Sequence, residues 1–222
     1  PVSRSDASDV VGTLDGTIFF WRGHLVNTTL IGDYNIDNAL MAMTIVAQLG
    51  ADDAAVAAAM ADVAAVPGRF EVVHHGDFTV VVDYAHTPQG LERLLRSVRL
   101  LCSGRVVTVF GCGGDRDTAK RPAMGRVASE YSDVTIVTSD NPRHESPDAI
   151  IDAIIAGAVV SADVVREVDR RAAIARALDL ARRGDVVVVA GKGHETTQTF
   201  AESVVAFDDR EVVRELLREK QC

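Results

Sequence analysis

The stretch Arg105-Val106-Val107-Thr108-Val109-Phe110-Gly111-Cys112-Gly113-Gly114-Asp115-Arg116-Asp117 decides the architecture. A short Val-rich run reads as a parallel strand buried on both faces. It ends in a Gly-rich polar turn, as a loop leaving the carboxyl end of such a strand does. The pattern recurs. Residues 78–82, 134–138, 164–168 and 185–190 also read as strands, and residues 88–101, 121–131, 147–156, 170–182 and 209–218 read as helices between or after them. Ser146 suits an N-cap, with Pro147 at the first helical position and Asp148 in the first turn. Alternating strand and helix predicts an α/β fold with a doubly wound, mostly parallel sheet. Residues 71–74 and 78–82 form a hairpin at its start in this reading. That hairpin or residues 204–207 supply an edge strand.

Upstream the pattern differs. Residues 10–30 hold short β-rich runs punctuated by Gly12, Gly16 and Gly23, expected as a hairpin or sheet edge. Residues 38–49 and 53–64 are Ala-rich with apolar positions at helical spacing, and Gly50 between them reads as a C-cap. Val66-Pro67-Gly68 reads as a linker, dividing the chain into residues 1–66 and 67–222.

Composition narrows the function. The 222 residues are 47% hydrophobic and 25% charged, with a formal net charge of −9. That acidic balance argues against nucleic-acid binding, which needs basic surface. No run approaches the roughly 18 apolar residues of a membrane span, and the first residues lack a signal peptide's charged and apolar regions. The start on Pro1 rather than Met is expected of a processed chain or of part of a longer one. Cys102, Cys112 and Cys222 form no CxxC pair, which argues against disulfides and a Cys-based zinc site. A cytoplasmic protein is the expectation.

Four strand ends carry polar clusters: Asp83-Tyr84-Ala85-His86-Thr87-Pro88, the 111–117 loop followed by Lys120-Arg121-Pro122, Ser139-Asp140-Asn141-Pro142-Arg143-His144-Glu145, and Gly191-Lys192-Gly193-His194-Glu195. Each has an ordinary explanation. A Gly-rich turn can be only a turn, Asn141 before Pro142 favours a turn, and Lys192 between glycines can be solvated. The 111–117 loop is neither a Walker A sequence nor GxGxxG. Asp169-Arg170-Arg171, after the fourth strand, is less distinctive. Packing nevertheless gives no reason to gather Arg116, Arg143, Lys192, Asp140 and Glu195 at one sheet edge. A small zwitterion does: guanidinium groups pair with its carboxylates and acidic groups hold its ammonium. The residues alone therefore suggest an amino-acid or nucleotide site.

In this order the motifs resemble the Mur ligases, in particular the diaminopimelate-adding MurE branch. The matching motifs are Tyr34-Asn35-Ile36-Asp37-Asn38-Ala39, Pro67-Gly68-Arg69-Phe70-Glu71, Asp83-Tyr84-Ala85-His86-Thr87-Pro88, the 111–117 loop with Lys120-Arg121-Pro122, Asp140-Asn141-Pro142-Arg143 and Gly191-Lys192-Gly193-His194-Glu195. The resemblance spans about residues 10–219. It implies that residues 67–222 are the family's Rossmann-like C-terminal domain and residues 1–66 the end of its central ATP-binding domain. The phosphate loop, the carbamylated lysine and the UDP-binding domain of that family have no counterpart in this sequence. The resemblance thus implies the last part of a three-domain ligase, inactive by itself and without an identified catalytic residue or metal ligand.

The implied reaction joins meso-diaminopimelate to UDP-MurNAc-L-Ala-D-Glu through an acyl phosphate, with ATP and Mg2+, in peptidoglycan synthesis. The implied ATP contacts are Asn35, Asn38, Arg69, Asp83 and His86. The implied meso-diaminopimelate contacts are Arg116, Asp140, Asn141, Arg143, Gly191 and Glu195. Arg143 is the specificity argument: diaminopimelate ends in a second carboxylate that lysine lacks. The partners implied are these small molecules, with no nucleic acid or membrane insertion, and a monomeric state. The alternative reading is a non-catalytic amino-acid or nucleotide-binding module derived from such a ligase. A folylpolyglutamate-synthase-like ligase fits Asp140-Asn141-Pro142-Arg143 less well, and a Rossmann dehydrogenase lacks its GxGxxG.

Overall fold

A computed structural model describes residues 2–220, which fall into two compact units that divide between Val66 and Pro67.

In the first unit, a 3-10 turn (Arg4–Asp6) leads into three antiparallel strands, β1 (Ala7–Thr13), β2 (Gly16–Trp21) and β3 (His24–Thr28), in the order β1-β2-β3. Alternation sorts β2: Thr17, Phe19 and Trp21 are buried while Ile18 and Phe20 are exposed. Helices α1 (Asp33–Gln48) and α2 (Asp53–Ala59), with a 3-10 turn at Met60–Asp62, cover that inner face. The first helix begins five residues before the expected Asn38. The reason is Ile36, which extends the buried stripe of Leu40 and Met43 by a further turn. The second ends before the expected residue 64. Its start is capped by Asp52, whose carboxylate accepts from the Ala55 N–H at 3.0 Å.

In the second unit, a six-stranded sheet comprises β4 (Glu71–His75), β5 (Thr79–Asp83), β6 (Val106–Phe110), β7 (Val134–Val137), β8 (Asp163–Arg166) and β9 (Val186–Ala190). Their spatial order is β4-β5-β9-β6-β7-β8, with only β4 antiparallel to its neighbour. Helices α3 (Pro88–Leu101), α4 (Lys120–Tyr131), α5 (Pro147–Ile155), α6 (Arg170–Leu180) and α7 (Asp209–Glu219) cover it. Val80, Val82, Val107, Val109, Val187 and Val189 face Ile174, Ala177 and Val213 of α6 and α7. The alternate residues Val81, Val106 and Phe110 are also fully buried, as strands covered on both sides require.

Of the two candidates for an edge strand, the hairpin supplies it through β4. Residues 204–206 do not extend the large sheet: β11 (Val204–Ala206) pairs with β10 (Thr197–Thr199) in a separate antiparallel ribbon. The short turn between these segments makes them each other's nearest partners. The expected strand at 164–168 is observed as β8, shifted and only partly buried, because it forms the sheet's edge and has one strand neighbour. Among the described residues no helix is long and apolar enough to cross a membrane.

Candidate functional site

Parallel register brings the polar clusters together. Asp83 pairs with Ala190, Ala190 with Phe110, and Phe110 with Val137, so four strands end at one level about 4.8 Å apart. The loops leaving them surround a cavity of about 490 Å³. Arg116, Asp140, Asn141, Arg143, Gly191 and Glu195 all line it, and so does His86.

Backbone proximity makes two of these loops one structure. A Cβ at Gly111 would lie 2.3 Å from the Thr138 carbonyl oxygen, and one at Gly114 only 1.9 Å from that of Pro142. The Gly114 N–H donates to the Asn141 carbonyl at 2.9 Å, and Arg143 Nη1 donates to the Gly114 carbonyl at 2.7 Å. The glycines therefore permit close approach rather than merely turning the chain. Replacing Gly114 with alanine is expected to separate the 111–117 and 138–145 loops. It should lower thermal stability and weaken ligand binding together, as calorimetry and titration of that variant would show.

Glu145 ties the same loops. Its Oε1 accepts from the Asp115 N–H at 2.7 Å and from Arg121 Nη2 at 2.8 Å. The Arg121 guanidinium, then the Asp115 N–H, hold Glu145 below the usual carboxylate range. A depressed folded pKa stabilises the fold above the unfolded value of about 4.3, and that stabilisation is lost as pH falls through the folded pKa. Acid titration of Glu145→Gln is thus expected to show a shallower loss of stability below about pH 4.5 than the parent chain.

The cavity lining carries charges of both signs. Arg116 and Arg143 bring positive charge; Asp140 and Glu195 bring carboxyl groups. Burial pushes Asp140 above its ordinary range, against the opposing pull of Arg170 and Lys192. Cys112 also lines the cavity, yet burial pushes its thiol up to about 12, with Lys120 opposing. It is a neutral thiol at neutral pH, not a nucleophile.

Of the other singled-out residues, His86 lines the cavity and the rest lie outside its lining. The Arg69 guanidinium stacks 4.5 Å over the ring of Tyr84, a cavity residue. Asp83 is buried, and its Oδ2 accepts from the Phe70 N–H at 2.7 Å. His86 Nδ1 lies 2.9 Å from the Tyr84 carbonyl oxygen. Asn35 and Asn38 belong to α1 in the first unit. Asn35 is buried and donates to the Ile31 carbonyl at 2.8 Å, whereas Asn38 is exposed.

Two residues correct the reading from sequence. Lys192, open to a solvated reading, is fully buried, with Nζ 3.0 Å from Asn141 Oδ1 and 3.2 Å from Glu195 Oε2. Its flanking glycines, Gly191 at φ +115° and Gly193 at φ +54°, take up left-handed backbone around it; the Gly-Lys-Gly pattern signals that turn but not the burial. Arg170, in the undistinguished fourth cluster, is fully buried against Asp209 through two 2.8 Å hydrogen bonds. It also donates to the carbonyls of Ala190 at 3.1 Å and Ser139 at 3.4 Å. A partner 39 residues away leaves no local sequence signal.

Residues 68–193 match the Mur ligase, glutamate ligase domain family. The chain is 51% identical to the UDP-N-acetylmuramoyl-L-alanyl-D-glutamate--2,6-diaminopimelate ligase of Syntrophomonas wolfei, over 98% of this chain and 46% of that protein. It is 45% identical to the ligase of the same name from Aquifex aeolicus, over 97% of this chain and 44% of that protein. A solved structure of such a ligase superposes with a TM-score of 0.73 at 34% identity, over 97% of this chain and 45% of that one. A folylpolyglutamate synthase of Mycobacterium tuberculosis shares the fold alone, with a TM-score of 0.64 at 22% identity, covering 85% of this chain and 46% of that one. The chain spans about half the length of the curated relatives it matches. With the family's domain running through the sheet and its site loops, the chain belongs to the Mur ligases.

Proposed function

We propose that residues 67–222 are the amino-acid-binding domain of a ligase that adds meso-diaminopimelate to UDP-MurNAc-L-Ala-D-Glu during peptidoglycan synthesis in the cytoplasm. In this reading residues 1–66 are the end of the central ATP-binding domain. The observation that carries the proposal is the convergence of Arg116, Arg143, Asp140, Asn141, Gly191 and Glu195 on one cavity. Arg143, with Asn141, pairs with the side-chain carboxylate of diaminopimelate; Glu195 and the Gly191 carbonyl accept from the neighbouring ammonium; Arg116 holds the carboxylate at the reacting centre. The names of the relatives support this choice of amino acid.

ATP-dependent activation of the glutamyl carboxylate is the chemistry the family reading supplies. Among the described residues, no group of three or more His, Cys, Asp or Glu side chains could hold a metal. Arg69 and His86 flank Tyr84 and suit a phosphate-bearing ligand. Asp83, the other implied ATP contact in this region, accepts from the Phe70 N–H and so also anchors the turn that carries Arg69. Formation of the acyl phosphate is assigned to none of these residues. Orientation of the incoming amine is assigned to the cavity, where fixed geometry lowers the entropy cost of attack.

Calorimetric titration of the chain with meso-diaminopimelate and with L-lysine tests the reading. The expected result is clear preference for meso-diaminopimelate; equal binding, or preference for lysine, would sink it. A pH series adds a sign. Burial raises the Asp140 pKa, and a ligand ammonium beside it would favour its ionised form. Binding should therefore release a proton and tighten as pH rises through the raised Asp140 pKa.

A further inference from the structure

The geometry points to Lys192 as a positioning residue that orients Asn141 and Glu195 for the ligand without touching it. This inference rests on the amino-acid-binding reading of the same cavity.

A carboxamide has nearly the same shape when its oxygen and nitrogen are exchanged, so its hydrogen-bond partners decide which atom faces which neighbour. Asn141 Oδ1 meets two groups that only donate: Lys192 Nζ at 3.0 Å and the Thr199 N–H at 3.0 Å. The opposite orientation would put an amide NH2 against an ammonium and an N–H. The nitrogen must therefore face the other way, where Nδ2 donates to Glu195 Oε2 at 2.8 Å.

That same Oε2 also lies 3.2 Å from Lys192 Nζ. With Oε2 engaged twice, Glu195 has its Oε1 without a hydrogen-bond partner among the described residues. Glu195 lines the cavity, and a third of its side chain is exposed. An incoming ammonium thus meets one oriented carboxylate oxygen rather than a rotating group.

Burial gives Lys192 authority over this arrangement. Its side chain has no exposure, and a buried ammonium requires close compensation. Solvent cannot replace Asn141 and Glu195 as its partners without opening the loop. Close packing holds the loop shut: a Cβ at Gly193 would sit 2.6 Å from Tyr84 Cβ and 2.7 Å from the Gly68 carbonyl oxygen.

A double-mutant cycle on the full chain tests the inference, using Lys192→Met, Glu195→Gln and the pair, titrated with meso-diaminopimelate. Lys192→Met alone is expected to weaken binding about tenfold, a typical loss for a charge-assisted contact. In the Glu195→Gln background the same change should cost clearly less, because only Asn141 remains to orient. An equal loss in both backgrounds, or none in either, overturns the role. The Asn141 side-chain amide resonances give a readout that needs no ligand. The parent chain should show two well-separated Nδ2 protons with slow solvent exchange, and Lys192→Met should bring them together and speed their exchange. Unchanged resonances in that variant overturn the inference. If the parent chain binds no meso-diaminopimelate, the ligand reading fails, and the amide resonances still decide the positioning role.

Discussion

Replacing Asp209 with alanine is expected to destabilise the second unit by about 3–5 kcal/mol, the usual cost of stranding one partner of a buried ion pair. Arg170 and Asp209 are both fully inaccessible to solvent. Without the carboxylate, the guanidinium keeps, among the described residues, hydrogen bonds only to the Ser139 and Ala190 carbonyls, which are polar but uncharged. For a unit of this size, a loss of that order lowers the melting temperature by roughly 10 °C, which scanning calorimetry would resolve. The paired replacement Arg170→Met with Asp209→Leu should recover most of the loss, because burying apolar groups avoids desolvating two charges. A single-variant loss below about 1 kcal/mol would contradict this account.

The pair also reaches the site. Ala190 and Ser139 lie at the roots of the Gly191 and Asp140 loops, and Arg170 holds both carbonyls at once. The single variant is therefore expected to weaken ligand binding even below its melting temperature. Titration at low temperature would separate that effect from unfolding.

The second large effect is expected at Arg143. Changing it to methionine should weaken meso-diaminopimelate binding roughly 10–100-fold, as loss of a charge-assisted contact predicts, while leaving lysine binding nearly unchanged. Lysine carries no carboxylate at that end, so it loses no partner. The variant's preference should therefore collapse, and competition titration reads it directly. Parallel losses for both amino acids would mean that Arg143 acts through the loop, to which it is tied by its bond to the Gly114 carbonyl. Its backbone, at φ +52°, is in the left-handed region and donates to the Thr199 carbonyl at 3.0 Å. Methionine keeps that backbone bond and removes only the guanidinium.

Much of this was legible from local sequence. The Val-rich runs announced parallel strands because a strand covered on both faces has no reason to alternate. The polar clusters at their ends announced the cavity because parallel strands deliver all their carboxyl ends to one edge. Arg116, Asp140, Asn141, Arg143, Gly191 and Glu195 were each visible as charged, amide or glycine residues in those loops, and they line one cavity in the structure.

What the sequence by itself determined was therefore the strand–helix alternation, the family, and which loops carry the chemistry, since all three depend on short-range pattern and residue type. Only the tertiary structure decided the inward burial of Lys192, the Arg170–Asp209 pair, the engagement of Asp83 by the Phe70 N–H and the separate ribbon of β10 and β11. Burial and pairing are properties of neighbours brought together by the fold. A lysine between glycines reads identically whether its ammonium meets water or an amide oxygen from a residue 51 positions away.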